Sequence, residues 1–147
     1  MKFIKLIFLG FLNLNLGCAT VPGYYIENSN LPVAESRIAI TTVIGKPRLI
    51  SLNGRELTSA YHDRNFEPIE IEKKTKVRFY TKVVVLGPRR PYEINVAVVK
   101  EMYDPQTQSF VAVGIDEGLT QTKALEIKKA LNKSLENYRT LDGDNPF

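Results

Sequence analysis

The chain has 147 residues, a formal net charge of +4, one cysteine and one histidine. A lone cysteine excludes an intrachain disulfide and, with a lone histidine, excludes a zinc set of Cys and His ligands. The charge is too small and too dispersed for a nucleic-acid binder, and no Walker or dinucleotide-binding glycine pattern is present.

The N-terminus reads as an address. Met1-Lys2-Phe3-Ile4-Lys5 carries two lysines and no acid. An apolar run from Leu6 to Leu12 follows, broken only by Gly10, and the small residues Gly17, Cys18 and Ala19 come after it. A charged start, a short apolar core and a small-residue cleavage site make a secretory signal. The stretch from Leu6 to Leu16 is shorter than the roughly 20 apolar residues of a spanning helix. Leu14-Asn15-Leu16-Gly17-Cys18 resembles the bacterial lipobox. Gly17 and Cys18 match, whereas Asn15 stands where that pattern usually carries an aliphatic residue. The resemblance implies a bacterial lipoprotein precursor: cleavage between Gly17 and Cys18, a diacylglyceryl group on the Cys18 sulfur and an N-acyl chain on its amine. Ala19, rather than Asp, after the cysteine implies the outer membrane over the inner. Two readings compete: ordinary secretion, with Gly17-Cys18-Ala19 serving as a small-x-small cleavage site, and Cys18 as an incidental residue of the apolar segment.

The expected organisation is a signal peptide over 1–17, a lipidated N-terminus and flexible tether over 18–35, one periplasmic domain over 36–141 and a polar tail over 142–147. Pro22, Gly23, Asn28, Ser29, Asn30 and Pro32 favour turns and extended chain in the tether. Tyr24, Tyr25 and Ile26 interrupt it and are expected to pack on the domain.

Arg37 to Ile44 is rich in β-branched residues. Ile38, Ile40, Thr42 and Ile44 alternate with Arg37, Ala39, Thr41 and Val43, which predicts a strand ended by Gly45-Lys46-Pro47. Leu49–Leu52 predicts a second strand, and Asn53-Gly54 a hairpin returning through Arg55–Leu57. Ile69 and Ile71, alternating with Glu70 and Glu72, predict a short exposed strand. Thr75–Leu86 predicts a long strand with Val77, Phe79, Thr81, Val83 and Val85 on one face. Gly87-Pro88-Arg89-Arg90-Pro91 is a turn, because prolines cannot donate to a central ladder. Tyr92–Tyr103 and Ser109–Ile115 complete an antiparallel meander, with Asp104-Pro105-Gln106-Thr107 turning between them.

The period then changes. Ala124, Ile127, Leu131, Leu135 and Tyr138 recur at three- and four-residue steps, which predicts an amphipathic helix capped by Thr120 and ended by Gly143 and Pro146. The fold class is α+β: an antiparallel meander sheet with the C-terminal helix on one face. Ala112 and Gly114 are expected to let that helix approach closely. Tyr80, Val84, Ala97, Val99 and Tyr103 lie on the second face, which the first hairpin is expected to cover as a further layer.

Candidate chemistry is sparse. Ser59, His62 and Asp63 are the residue types of a nucleophile, a base and an orienter. They are nearly adjacent, however, and no nucleophile elbow accompanies them. Asp142-Gly143-Asp144-Asn145 lacks the remaining ligands of a calcium loop. Glu70 and Glu72 read as a solvated face. The strongest binding feature is the turn carrying Arg89, Arg90 and Tyr92, since guanidinium forks grip carboxylates and phosphates. Lys73, Lys74 and Lys76 extend basic surface at the other end of the same strand. The expectation is a lipid-anchored envelope protein, not an enzyme, acting as a structural or interaction module with an envelope protein partner. It requires no cofactor, metal or nucleic acid. A ligand-binding or transport-accessory lipoprotein is the first alternative, and a small hydrolase centred on Ser59–Arg64 the second.

Overall fold

The computed structural model describes residues 22–70 and 75–143. Its centre is the pair of long strands β4 (Val77–Leu86) and β5 (Tyr92–Asp104), antiparallel from Val77↔Met102 to Leu86↔Glu93. Burial along β4 alternates as its sequence does, with Phe79, Thr81, Val83 and Val85 inside. β6 (Ser109–Ile115) returns along the second half of β5, from Asp104↔Ser109 to Val99↔Ile115. The predicted meander and the α+β class are both present.

Three further strands complete the sheet. β1 (Tyr24–Ser29) pairs with the first half of β5, Tyr24 opposite Val96 and Ile26 opposite Ile94. β1 and β6 therefore lie end to end along one edge of β5. β2 (Leu49–Ile50) and β3 (Glu56–Thr58) form a hairpin on the far side of β4, giving the order β1-β5-β4-β3-β2 with β6 on β5. The turn is tightened by the Gly54 N–H on the Ser51 carbonyl, and Gly54 adopts φ 68°, which suits a residue without Cβ.

Several expectations need correction. The strand expected over Arg37–Ile44 is instead part of a helix, α1 (Val33–Ile44), ended by Gly45 at φ 74°. Its inward residues Ser36, Ala39 and Ile40, with half-buried Val43, follow the i, i+3, i+4, i+7 spacing of one helix face. A strand would turn alternate residues of that set outward. The threonines are tolerated because the Thr41 and Thr42 hydroxyls bond back to the Arg37 and Ala39 carbonyls at 2.8 and 2.7 Å. The stretch expected as a tether, 18–35, is not irregular throughout: β1 and the start of α1 fall inside it, and residues 18–21 lie outside the described residues. Tyr24 and Ile26 join the core, as expected of them. Gly23 fits only without a side chain: a Cβ there would stand 2.6 Å from the Val96 carbonyl oxygen. Ile69 and Glu70 lie outside any strand, and the rest of that expected strand (71–72) lies outside the described residues.

α2 (Glu117–Gly143) starts earlier than its apolar period suggests. Asp116 caps it, its Oδ1 accepting the Leu119 N–H at 3.0 Å, while Thr120 lies buried within the first turns. Pro146 lies outside the described residues. α2 packs on β5 and β1 and against α1. Ala112 and Gly114 do not receive it: both are exposed, and nothing lies within 4 Å of a Cβ built at Gly114.

Both helices cover the same sheet face. Ile40, Ala39, Ala124, Ile127 and Leu131 meet Leu57, Val83, Val85, Ile94, Val96 and Ile26 in one core. Each large aliphatic side chain enclosed there contributes about 1.5–3 kcal/mol. The first hairpin does not fold over the second face as expected; it extends the sheet sideways, and among the described residues no helix covers that face.

Candidate functional site

The uncovered face is built by the same alternation that fills the core. On β4, Arg78, Tyr80, Lys82 and Val84 point away from the helices, opposite Glu101, Val99, Ala97 and Asn95 of β5. Phe110 and Tyr103, paired across β6 and β5, continue the face. Arg48 arrives from the segment before β2. Tyr61 arrives from the loop after β3, positioned because its neighbour His62 exchanges backbone hydrogen bonds with Phe79 at 2.9 Å each way.

These residues form a stacked ladder. The Arg78 guanidinium lies between two rings, 3.6 Å from the Tyr61 centroid and 3.9 Å from that of Phe110. Its Nε donates to Glu101 Oε2 at 2.6 Å. The Arg48 guanidinium lies 4.3 Å over the Tyr61 ring and 5.7 Å from that of Tyr80. Tyr61 meets Tyr80 edge-on, as Tyr103 meets Phe110. Burial, aided by the Glu101 charge, pushes the Tyr80 phenol above its ordinary pKa, so it stays protonated and able to donate. Lys82 and Glu56 pair at 2.9 Å beside it. Each cation-ring contact is worth about 0.5–1 kcal/mol when exposed and about 2 when desolvated. The ladder thus holds long side chains in fixed positions on an open surface. Sequence reasoning placed Tyr80, Val99 and Tyr103 on this face but missed Arg48, Tyr61, Glu101 and Phe110 as members of one array. The β4 alternation was the one available signal.

The predicted basic turn is present and more crowded than expected. Arg89 and Arg90 are exposed, and Arg90 Nη1 donates to the Asn30 carbonyl at 3.4 Å. Tyr92 packs against the core, and Arg55 from the β2–β3 hairpin lies 5.2 Å over its ring while donating to the Gly87 carbonyl. The aromatic expected to help Arg89 and Arg90 is therefore engaged by a third arginine. Lys76 is exposed, whereas Lys73 and Lys74 lie outside the described residues, as do Gly17 and Cys18.

Ser59, His62 and Asp63 are close in sequence, but their hydrogen bonds lead elsewhere. The Ser59 hydroxyl donates to the Ala60 carbonyl at 2.7 Å and accepts the Thr81 N–H at 2.9 Å. The Asp63 carboxylate accepts the N–H groups of Asn65 and Glu67 at 2.7 and 3.0 Å. His62 Nδ1 lies 2.8 Å from the Asp63 carbonyl, which can only accept, so Nδ1 carries the proton and Nε2 faces the Thr81 hydroxyl at 3.3 Å. Asp116 bonds Arg64 at 3.4 Å and caps α2. The His62 ring stacks with Phe79 and packs on Phe66. Burial lowers its pKa, and the nearby Lys123 charge adds to the shift. The cavity beside it is about 70 Å³, well below the roughly 300–1,000 Å³ of small-molecule sites.

A larger cleft of about 730 Å³ opens where β1 begins and β6 ends, lined by Pro22, Gly23, Tyr24, Ile115, Thr120 and Gln121 among others. Among the described residues, no group of three His, Cys, Asp or Glu side chains is placed to hold a metal ion, and no helix is long and apolar enough to cross a membrane. Comparison of the chain with protein-family models, with curated proteins and with solved structures produced no match.

Proposed function

We propose that the chain is a bacterial lipoprotein, anchored through Cys18 to the cell envelope, that acts as a non-enzymatic interaction module. Its partner would be an envelope protein bound through the open sheet face. The observation that carries this reading is the one-sided placement of the helices. Both lie on the same face, and the other presents Arg48, Tyr61, Tyr80 and Tyr103, residue types that dominate binding energy at protein interfaces. The ladder supports it further, because side chains already fixed lose little entropy on docking. The leader pattern supports the anchor, and Ala19 favours the outer membrane.

Two measurements test this together. Metabolic labelling with a fatty-acid analogue is expected to label the wild type in membrane fractions and to leave Cys18→Ala unlabelled. A photo-crosslinking residue at position 80 is expected to give one discrete adduct, to an identifiable envelope protein, which Arg48→Glu weakens; the same probe at Lys129 on α2 should give none. Unlabelled wild type would remove the anchor. Identical adduct patterns from both positions would remove the face.

The cleft between β1 and β6 supports a second reading, a ligand-binding lipoprotein, because its volume lies in the small-molecule range. Lipid recovered with the purified protein, and lost on Gln121→Phe or Ile115→Asp, would favour it.

A further inference from the structure

β2 is the last strand in the order β1-β5-β4-β3-β2, so it pairs with β3 on one side and with no described strand on the other. Its surroundings are apolar on both faces. Ile50, opposite buried Leu57, points to the helix side and borders a groove of about 360 Å³ with Ile38, Thr41, Thr42 and Pro47. Leu49, opposite Thr58, points to the other side. Ile38, Leu49 and Ile50 are 57%, 57% and 51% exposed, a cluster of large aliphatic side chains at a bare strand edge. Monomeric proteins usually cover or blunt such edges, and here the blunting consists of the two-residue length of β2 and the flanking Lys46, Pro47 and Arg48, which leave the aliphatic side chains exposed.

The charges around the patch have one sign. Arg37 comes from α1, Lys46 from the loop after it, and Arg48 immediately precedes β2. None of the three forms an ion pair among the described residues. Of the acids on the neighbouring elements, Glu56 on β3 is already held by Lys82, and Glu35 lies a turn back on α1.

We infer that the β2 edge receives an extended segment of a partner protein in which apolar and acidic residues alternate. The segment adds a strand beside Leu49 and Ile50, its main chain supplying the hydrogen bonds the edge lacks. Alternation sends its apolar side chains to one face, against Ile38 and Ile50, and its carboxylates to the other, toward Arg48, whose guanidinium is held ready by the Tyr61 ring. Arg37 on the groove and Lys46 in the loop after α1 add positive charge that draws the acidic segment in. A second copy of this chain is a poorer occupant, because a two-fold axis through β2 would set these three cations against themselves. The edge adjoins the open sheet face and shares Arg48 with it, but the groove of Ile38 and Ile50 lies on the helix side, and binding there does not depend on lipidation.

The test uses the full chain and a short capped peptide of alternating valine and glutamate, with a valine–lysine peptide as control. Backbone amide NMR is expected to show saturable shifts centred on Leu49 and Ile50 with the glutamate peptide. The lysine peptide should bind at least about tenfold more weakly, and added salt should weaken the glutamate complex. Arg37→Glu with Lys46→Glu, exposed positions whose substitution leaves the core intact, should cost about tenfold; Ile38→Asp should do the same through the groove. Equal binding of the two peptides, shifts centred elsewhere, no saturable binding at millimolar peptide, or a β2-paired dimer that excludes the peptide would each overturn the inference.

Discussion

The Thr120 hydroxyl accepts the backbone N–H of Val98 at 2.9 Å, which ties the first turns of α2 to β5 where neither β1 nor β6 reaches. The Val98 carbonyl accepts the Asp116 N–H at 2.9 Å, so both backbone groups of Val98 are satisfied by the start of the helix. Thr120→Val keeps the shape and removes the acceptor, leaving a buried N–H unpaired. The expected loss is about 1–3 kcal/mol in a denaturant titration, against about 1 for Thr120→Ser, which keeps the oxygen. Equal losses for the two variants would show that the methyl, not the hydroxyl, matters here.

Arg78 is the centre of the open-face ladder. Truncating it to Ala leaves Glu101, whose side chain is 13% exposed, without its cation and separates Tyr61 from Phe110. The expected cost is about 2 kcal/mol. Glu101→Gln in the Arg78→Ala background should recover part of it, because the uncompensated charge is gone. Arg78→Lys should also be weaker than wild type, since an ammonium lacks the planar surface that fits between two rings. A double-mutant cycle on unfolding free energy reads both effects.

His62 sets a pH dependence. Burial and the Lys123 charge hold its folded pKa below the ordinary 6.5. The unfolded chain therefore binds more protons as pH falls through 6.5, and stability drops with it until the folded pKa is passed. Above neutral pH the contribution is constant. Urea midpoints measured between about pH 5 and pH 8 should fall on the acid side in wild type, and this His62-dependent part should vanish in His62→Gln.

The sequence was most legible where the information was local. β4, β5 and β6 each carry their own alternation, and Gly87–Pro91 and Asp104–Thr107 turn the chain between them. Reading failed where tertiary packing overrode local preference. Ile38, Ile40, Thr41, Thr42, Val43 and Ile44 favour a strand one by one, yet the core accepts Ser36, Ala39 and Ile40 only from a helix. Thr120 was a reasonable cap by residue type, but Asp116 took that role because Thr120 was needed against β5. Of the candidate site, Arg89, Arg90 and Tyr92 were visible as a turn, while Arg55 approaches them from another hairpin. The ladder was invisible as a unit, because Arg48 and Tyr61 come from segments without any periodic pattern.

The pairing of β1 with β5 also dictates an order of events. Tyr24 must wait for Val96, whereas β4, β5 and β6 find each other across short turns. Closing the long loop costs entropy before any contact repays it, so the meander is expected to assemble before β1 docks, an order that pulse-labelled hydrogen exchange would read. On that expectation the first described strand in the chain is among the last to be seated. Until it is, half of one β5 edge stays open to any extended chain nearby, and a chaperone that shields that edge would protect the protein at its most vulnerable stage.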